Sequence, residues 1–427
     1  MRNNTSILEK SVKENFIDMK NTILLKLAFR NIFRNTRRTI ITCIAVLISV
    51  SSIIFLESYF GGIMGDIVVD TIKLTGHVKL QHPEYKLKER MLSLSVPVEN
   101  YGDIIELLKK KKEIKLATGR IKFGSIININ DENETGLGMG IVPDNEREIL
   151  NLQNSLIKGQ YFTGKDDETI VGREIVSSLN LDIGDTITVI VSTAYNSLNA
   201  TNLRIIGICD LLNYNMNRIF YMPLTKAQDL LDMYDRVTEI LVFTDDYKKA
   251  DELIYTIKTI PEISENYDVL DWLEAGFLET YYPLVQVMMI VFQGIFILLA
   301  VLVIVNTILM SVFERTWEIG IINAVGMKGR QIMLLLLFEA LMIGIIGGIV
   351  GILVGSGFGY LLEVKGITVG KAVEGFPIPI RQVIYGDLKW FMVIKSFIIG
   401  LFASVLAAFL PALKASRMEP AEALRVQ

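Results

Sequence analysis

Residues 280–313 read TYYPLVQVMMIVFQGIFILLAVLVIVNTILMSVF, 34 residues without one formal charge between Glu279 and Glu314. A helix needs roughly 20 mostly apolar residues to cross about 30 Å of hydrocarbon, so this stretch spans a membrane with length to spare. Three more stretches pass the same measure. Residues 39–56 lie between Arg38 and Glu57, residues 331–362 carry Glu339 as their only charge, and residues 396–413 lie between Lys395 and Lys414. The whole chain agrees: 51% of its 427 residues are hydrophobic and 21% charged, too apolar for an ordinary soluble protein.

Working outward, the spans divide the chain into an N-terminal arm (1–38), a first transmembrane helix (39–56), a large insert (57–280), a second transmembrane helix (281–313), a loop (314–331), a third helix (332–362), a second outer loop (363–395), a fourth helix (396–413) and a tail (414–427). The arm holds nine Lys/Arg against three Asp/Glu, whereas the insert holds 23 basic and 36 acidic residues. Positive charge beside a first helix keeps that side in the cytoplasm, which makes Arg34, Arg37 and Arg38, with Lys26 and Arg30, the topology anchors. No small-x-small cleavage site follows in residues 51–59, so an uncleaved anchor is expected. The termini are then cytoplasmic and the acidic insert extracytoplasmic. Lys365, Lys371, Arg381 and Lys389 in the second outer loop oppose this rule, since they outnumber Arg315, Lys328 and Arg330 in the inner loop.

Periodicity refines the picture. Leu24, Leu25, Ala28, Phe29, Ile32 and Phe33 share a helical face beside Lys26, Arg30 and Arg34, as in an interfacial helix that reaches anionic headgroups; an ordinary helical extension packed on the bundle is the alternative. Leu56, Tyr59, Phe60, Ile63, Met64, Ile67 and Val68 continue a three-four spacing past Glu57, and Leu270, Leu273, Phe277, Tyr281 and Leu284 do so before the second span. A two-helix stalk is expected, each stripe burying the other. Gly347, Gly351, Gly355 and Gly359 form a ridge of small residues suited to close transmembrane packing, either within the bundle or against a second subunit. Glu339 reads as a paired or snorkelling structural acid, because a proton relay needs a second buried titratable group.

The insert reads as α+β. Strands are expected at 77–80, 121–129, 186–191, 203–208 and 240–243, and helices at 104–112, 173–179, 225–233 and 247–257. Early and late strand-helix groups flank a strand-rich middle near residues 144–215. Residues 192–202, rich in Ser and Asn, read as an exposed hairpin or loop, and residues 109–112 as a solvated helix end. The fold class is therefore an α-helical membrane protein with four transmembrane helices plus a large extracytoplasmic α+β domain on a two-helix stalk.

Catalytic chemistry has no visible carrier. Gly159 to Asp166 match the phosphate-binding loop up to its last position, but Asp166 stands where Ser or Thr would hold Mg²⁺, and Asp167 and Glu168 add repulsion. Two cysteines and two histidines make neither a disulfide framework nor a metal site, and nothing suggests nucleic-acid binding. Energy for uphill work must come from a partner or an ion gradient.

Between the second and third spans stands Phe313-Glu314-Arg315-Thr316-Trp317-Glu318-Ile319-Gly320-Ile321-Ile322-Asn323-Ala324-Val325-Gly326-Met327, a short helix ended by Gly326 and restarted by Lys328 to Gln331. With Glu339 and the glycine ridge, it resembles the permease domain shared by the MacB, LolC/LolE and FtsX superfamily of ABC transporters. Residues 27–39 (LAFRNIFRNTRRT) and 415–425 (ASRMEPAEALR) look like the same family. The resemblance implies a permease subunit of the bacterial inner membrane that binds no cofactor itself, with ATP and Mg²⁺ used by a cytoplasmic ATPase dimer. By the same resemblance Arg315, Trp317, Glu318, Gly320, Gly326 and Met327 couple to that ATPase, whose dimerisation moves stalk and outer domain by mechanotransmission. A second permease subunit, like or unlike this chain, membrane lipids and a periplasmic lipoprotein carrier or adaptor complete the implied partners. Residues 140–146 (GIVPDNE), 159–162 (GQYF), 170–174 (IVGRE) and 181–186 (LDIGDT) are similar to lipoprotein-releasing permeases, which implies release of lipoproteins from the inner membrane. The entry sequence and the 314–320 loop sit closer to MacB-like chains, which keeps drug or peptide efflux as the alternative; FtsX-like activation of a cell-wall hydrolase is the other.

Overall fold

The computed structural model describes residues 25–129, 132–211, 216–276, 278–369, 381 and 383–418. Leu24, Phe277, Lys371 and the tail motif from Glu419 onward lie outside them. The chain forms two compact units, one of Met1–Gly62, Val285–Ile367 and Ile384–Gln427, the other of Ile63–Leu284 and Thr368–Val383.

Among the described residues four helices are long and apolar enough to cross a membrane: Thr36–Thr75, Leu278–Glu314, Gly329–Lys365 and Trp390–Ser416. Each contains one of the uncharged stretches and runs beyond it. The first does not stop at Glu57, because that carboxylate is matched inside the bundle. Glu57 is 2% exposed, accepts from Gln293 Nε2 at 2.9 Å and pairs with Lys395. A charge so compensated costs far less than a lone buried one, so helix continues through it.

The glycine ridge lies against the first helix. A Cβ on Gly347 would sit 2.8 Å from the Cys43 carbonyl oxygen, one on Gly351 2.9 Å from Val50 Cβ, and one on Gly355 2.8 Å from Ser51 Cα. Gly359 instead faces Leu388, and Gly344 and Gly348 face Ser404 and Phe397 of the fourth helix. Gly347, Gly351 and Gly355 thus lie against a helix of the same chain. Lipid tails are as apolar as leucine, so dispersion across such close approaches, and not water exclusion, holds these helices together.

The second unit is built on strands β1 (Val78–Gln81), β2 (Leu116–Ile129), β3 (Glu132–Ile141), β4 (Leu156–Gly159), β5 (Glu168–Gly172), β6 (Thr186–Ser192), β7 (Leu198–Cys209), β8 (Ile219–Pro223), β9 (Glu239–Phe243) and β10 (Asp268–Asp271). The long β2 serves two sheets. Its first half, Leu116 to Arg120, pairs with β9, which continues through β1 to β10. Its second half pairs with β3 and β6, and the sequence of pairings β2-β3-β8-β5-β7-β6 returns to β2, closing a six-stranded ring. Early and late chain segments thus meet in one sheet and the middle forms the ring. Helices Tyr101–Lys109 and Ala250–Lys258 bury Ile104, Leu108, Leu253 and Ile257 in the same core as Val78, Leu80, Ile240 and Val242.

Several expectations shift by a turn or less: the helices read at 104–112 and 225–233 are Tyr101–Lys109 and Leu224–Leu230. Residues 192–202 do form a hairpin, β6 to β7. The stripe read before the second span is corrected. Leu270 lies in β10 opposite Lys79, residues 272–276 turn, and helix starts only at Leu278. Its three-four spacing was coincidental, since cross-strand hydrogen bonds to β1 satisfy a backbone that a lone helical turn would leave open. Strand β3 was missed because Gly136, Gly138 and Gly140 lower β propensity. Each glycine makes room: a Cβ on Gly138 would lie 2.2 Å from the Phe123 ring, which meets Phe220 edge to face at 5.9 Å.

Candidate functional site

At one end of the first unit the second spanning helix gives way at Arg315 to a short helix, Thr316–Ala324. Thr316 Oγ1 donates to the Val312 carbonyl at 3.0 Å, so the break is a kink and not a free loop. Gly326, with φ of +108°, closes the helix, and Met327 N donates to the Ile322 carbonyl at 3.1 Å. Only glycine takes that conformation without strain. The third spanning helix restarts behind Lys328, whose backbone N–H is accepted by Gln331 Oε1 at 2.9 Å.

Charged groups fasten this short helix to the N-terminal arm. Residues 25–34 form a helix, bent from the first spanning helix at Asn35. Arg34 donates to both Glu318 oxygens, at 3.0 and 2.5 Å, and Arg38 Nη2 meets Glu314 Oε1 at 2.5 Å. Deeper in, Glu339 accepts from Asn31 Nδ2 at 2.5 Å and from Arg315 Nη1 at 3.3 Å. Asn323 Nδ2 donates to the Met418 carbonyl, and the Lys414 ammonium stands 5.3 Å from the Phe313 ring centre. At Gly329 the third helix approaches the fourth so closely that a Cβ would lie 2.3 Å from the Ser416 carbonyl oxygen.

The six candidate coupling residues therefore divide. Arg315 and Glu318 hold neighbours, Gly320 is buried, Met327 packs partly buried on the bundle core, and Gly326 makes the turn. Trp317 is 56% exposed, and beside it Val325 is 84% exposed. Of the anchors, Arg34 and Arg38 carry ion pairs and Arg37 is exposed. Asn31, Glu314 and Asn323 were not singled out from the sequence. Asn31 and Glu314 both lie inside quoted motifs, but their partners are some 280 to 310 residues away and spacing carries no trace of them. In residues 25–34 the apolar face splits, with Ala28 and Ile32 buried while Phe29 and Phe33 stay exposed.

The second unit has its own fastening point. Arg120 of β2 is fully buried and donates to both Glu146 oxygens at 2.6 and 2.7 Å, with a third bond to the Leu74 carbonyl near the end of the first spanning helix. Burial opposes its charge, but the Glu146 carboxylate outweighs burial and raises the guanidinium above its ordinary value. Nearby, burial disfavours the Glu239 carboxylate, yet Lys122 and Lys79 hold it below its usual range. Glu146 belongs to the GIVPDNE motif, and Tyr161 of GQYF donates to the Pro143 carbonyl at 2.6 Å. These two motifs of the second unit thus meet in a structural joint. Arg381 neutralises Asp66 at 2.7 Å and Asp70 at 3.0 Å, and Lys389 pairs with Asp387.

The phosphate-loop lookalike is no cradle. It runs from β4 into β5 and not into a helix, and Glu168 already accepts from the Thr163 backbone N–H at 2.7 Å and from its hydroxyl.

The model of the MacB-like periplasmic core domain matches residues 39–260, and that of the FtsX-like permease C-terminal domain matches residues 290–420. Over 220 residues the chain is 30% identical to the uncharacterized ABC transporter permease YvrN of Bacillus subtilis, a match covering 49% of this chain and 50% of that one. The chain thus spans about half the length of this relative. Over 391 residues it is 22% identical to the lipoprotein-releasing system transmembrane protein LolC of Xylella fastidiosa, covering 86% of this chain and 93% of that one. Over 121 residues it is 36% identical to the macrolide export ATP-binding/permease protein MacB of Brucella abortus, covering 28% and 16%. Among solved structures, the periplasmic region of MacB from Actinobacillus actinomycetemcomitans is similar at 15% identity and a TM-score of 0.35, over 46% of this chain and 88% of that one.

Proposed function

The chain belongs to the family that joins a MacB-like periplasmic core domain to an FtsX-like permease domain, and from that premise we propose that it is the membrane-spanning subunit of an ABC transporter whose ATP hydrolysis resides in separate subunits. In this reading helix Thr316–Ala324 docks on the ATPase through Trp317 and its neighbours. The Arg34, Arg38 and Arg315 ion pairs pass its displacement to the arm and the spans. The first spanning helix carries the movement outward to Leu74, where Arg120 ties it to the outer domain. A stalk is supported by Ile67, Val68 and Ile72 packing with Leu278. The reading that the termini are cytoplasmic rests on the basic arm beside the first span.

The substrate we infer is a membrane-anchored lipoprotein released from the outer leaflet of the inner membrane. The observation that carries it is the extent of the LolC likeness, 86% of this chain and 93% of that one, against 28% and 16% for MacB. Depleting the protein and fractionating the membranes tests it: lipoproteins should accumulate in the inner membrane, and unaltered sorting overturns the reading. Docking is tested separately. Replacing Glu318 and Gly320 should abolish stimulation of the ATPase while the chain still inserts.

A further inference from the structure

Between the helix of residues 25–34 and the adjacent ends of the second and third spanning helices lies a cleft of about 730 Å³. Its floor is apolar, formed by Leu27, Leu335 and Leu336, and its mouth carries Arg30 and Arg34. Both acids that line it are already engaged, Glu318 by Arg34 and Glu339 by Arg315 and Asn31. Arg30 is exposed and, among the described residues, makes no ion pair; Lys26, one turn earlier, is in the same state. On the same helix Phe29 and Phe33 stand uncovered, with ring centres 5.0 Å apart.

An uncompensated cation above an apolar floor, where spanning helices end, selects a ligand. A soluble anion would satisfy Arg30 but leave the exposed Leu27 and the half-buried Leu335 uncovered, and an uncharged lipid would cover the floor but leave the guanidinium unmatched. A single molecule that does both is a phosphodiester carrying acyl chains. We propose that this cleft binds one anionic phospholipid, its headgroup phosphate on Arg30 and an acyl chain along Leu27 and Leu335. The inference rests on the four helices spanning a membrane and is independent of the substrate and of the ATPase. The headgroup then lies beside the Arg34–Glu318 pair, so the lipid is bound where the short helix is fastened to the arm.

The full chain, purified in mild detergent and exchanged into nanodiscs of phosphatidylcholine with or without phosphatidylglycerol, tests this by native mass spectrometry of the lipid retained after detergent re-extraction. Wild type should keep one phosphatidylglycerol, and soluble glycerol phosphate should not displace it. Arg30→Gln should weaken retention roughly tenfold, the loss of one charge-assisted contact, whereas Arg330→Gln, an exposed cation outside the cleft, should leave it unchanged. Leu335→Trp, which fills the floor without altering charge, should lower retention as well. Equal retention of phosphatidylcholine, equal effects of Arg30→Gln and Arg330→Gln, or unchanged retention in Leu335→Trp would each overturn the proposal. So would a lipid-free cleft that shields Leu335→Cys from a thiol reagent only once the ATPase is added, since its occupant would then be protein.

Discussion

Arg34 and Glu318 face each other fork to fork, two parallel N–H···O bonds between residues 284 positions apart in the chain. Both side chains remain partly open to solvent, so the pair contributes little to stability. What it does is fix an angle, because a planar guanidinium and a planar carboxylate bonded twice cannot swivel.

Reversing one charge of that fork should separate motion from stability. Arg34→Glu and Glu318→Arg are each expected to insert and melt like wild type but to lose substrate-stimulated ATP hydrolysis in the assembled complex. The exchange of both charges should restore it. Failure of the double variant to recover would assign the effect of the single ones to lost docking contacts.

The Arg120–Glu146 pair should behave in the opposite way, since both residues are fully buried. Arg120→Met strands a carboxylate in the core and should cost about 3–5 kcal/mol. Arg120→Met with Glu146→Leu leaves no orphaned charge and should regain most of it. Thermal unfolding of the full chain reads both, and equal losses in the single and the double variant would contradict the argument.

Close helix approach at Gly351 predicts a steric penalty. Gly351→Ala places a methyl 2.9 Å from Val50 Cβ and should destabilise by about 1–3 kcal/mol, as overpacking does. Gly357→Ala, with open space around it, should be neutral or slightly stabilising through helix propensity. Adding Val50→Gly to the first variant, which removes the Cβ that the new methyl meets, should relieve part of it. Melting temperatures in one detergent compare all three.

His77 gives a pH signature. Burial holds its imidazole below the ordinary 6.5 and outweighs the opposing pull of Asp246, while Nδ1 accepts from the Thr244 backbone N–H at 3.1 Å. The folded state thus binds this proton less readily than the unfolded state. The resulting stability is fully present above 6.5 and is lost as pH falls towards the depressed value. With only two histidines in the chain, imidazole NMR with His82→Gln for assignment should show His77 titrating below 6.5; a value above it would refute the burial argument.

Much of this was legible in advance for a definite reason. The spans declare themselves locally, because hydrocarbon excludes charge and one run of residues reports its own environment. Gly326 and Lys328 were readable as a helix stop and restart for the same reason, since a positive φ and a cap are local devices. Strand β3 was not, because its glycines acquire meaning only from Phe123 and Ile127 across the ladder. Residues 270–273 misled because helical spacing and an edge strand present the same leucines, and only pairing with β1 decides.

The sequence by itself determined where four stretches long and apolar enough to cross a membrane lie, which loop carries the motif of residues 313–327 and which family the chain joins. Those follow from composition along the chain and from residues that stand next to one another. Only the tertiary structure decided that Gly347, Gly351 and Gly355 lie against the first helix, that β2 closes a ring, and that Arg34, Arg120 and Arg315 find their carboxylates. An ion pair leaves no mark on the spacing of its partners; it exists only where folding brings the two charges within reach.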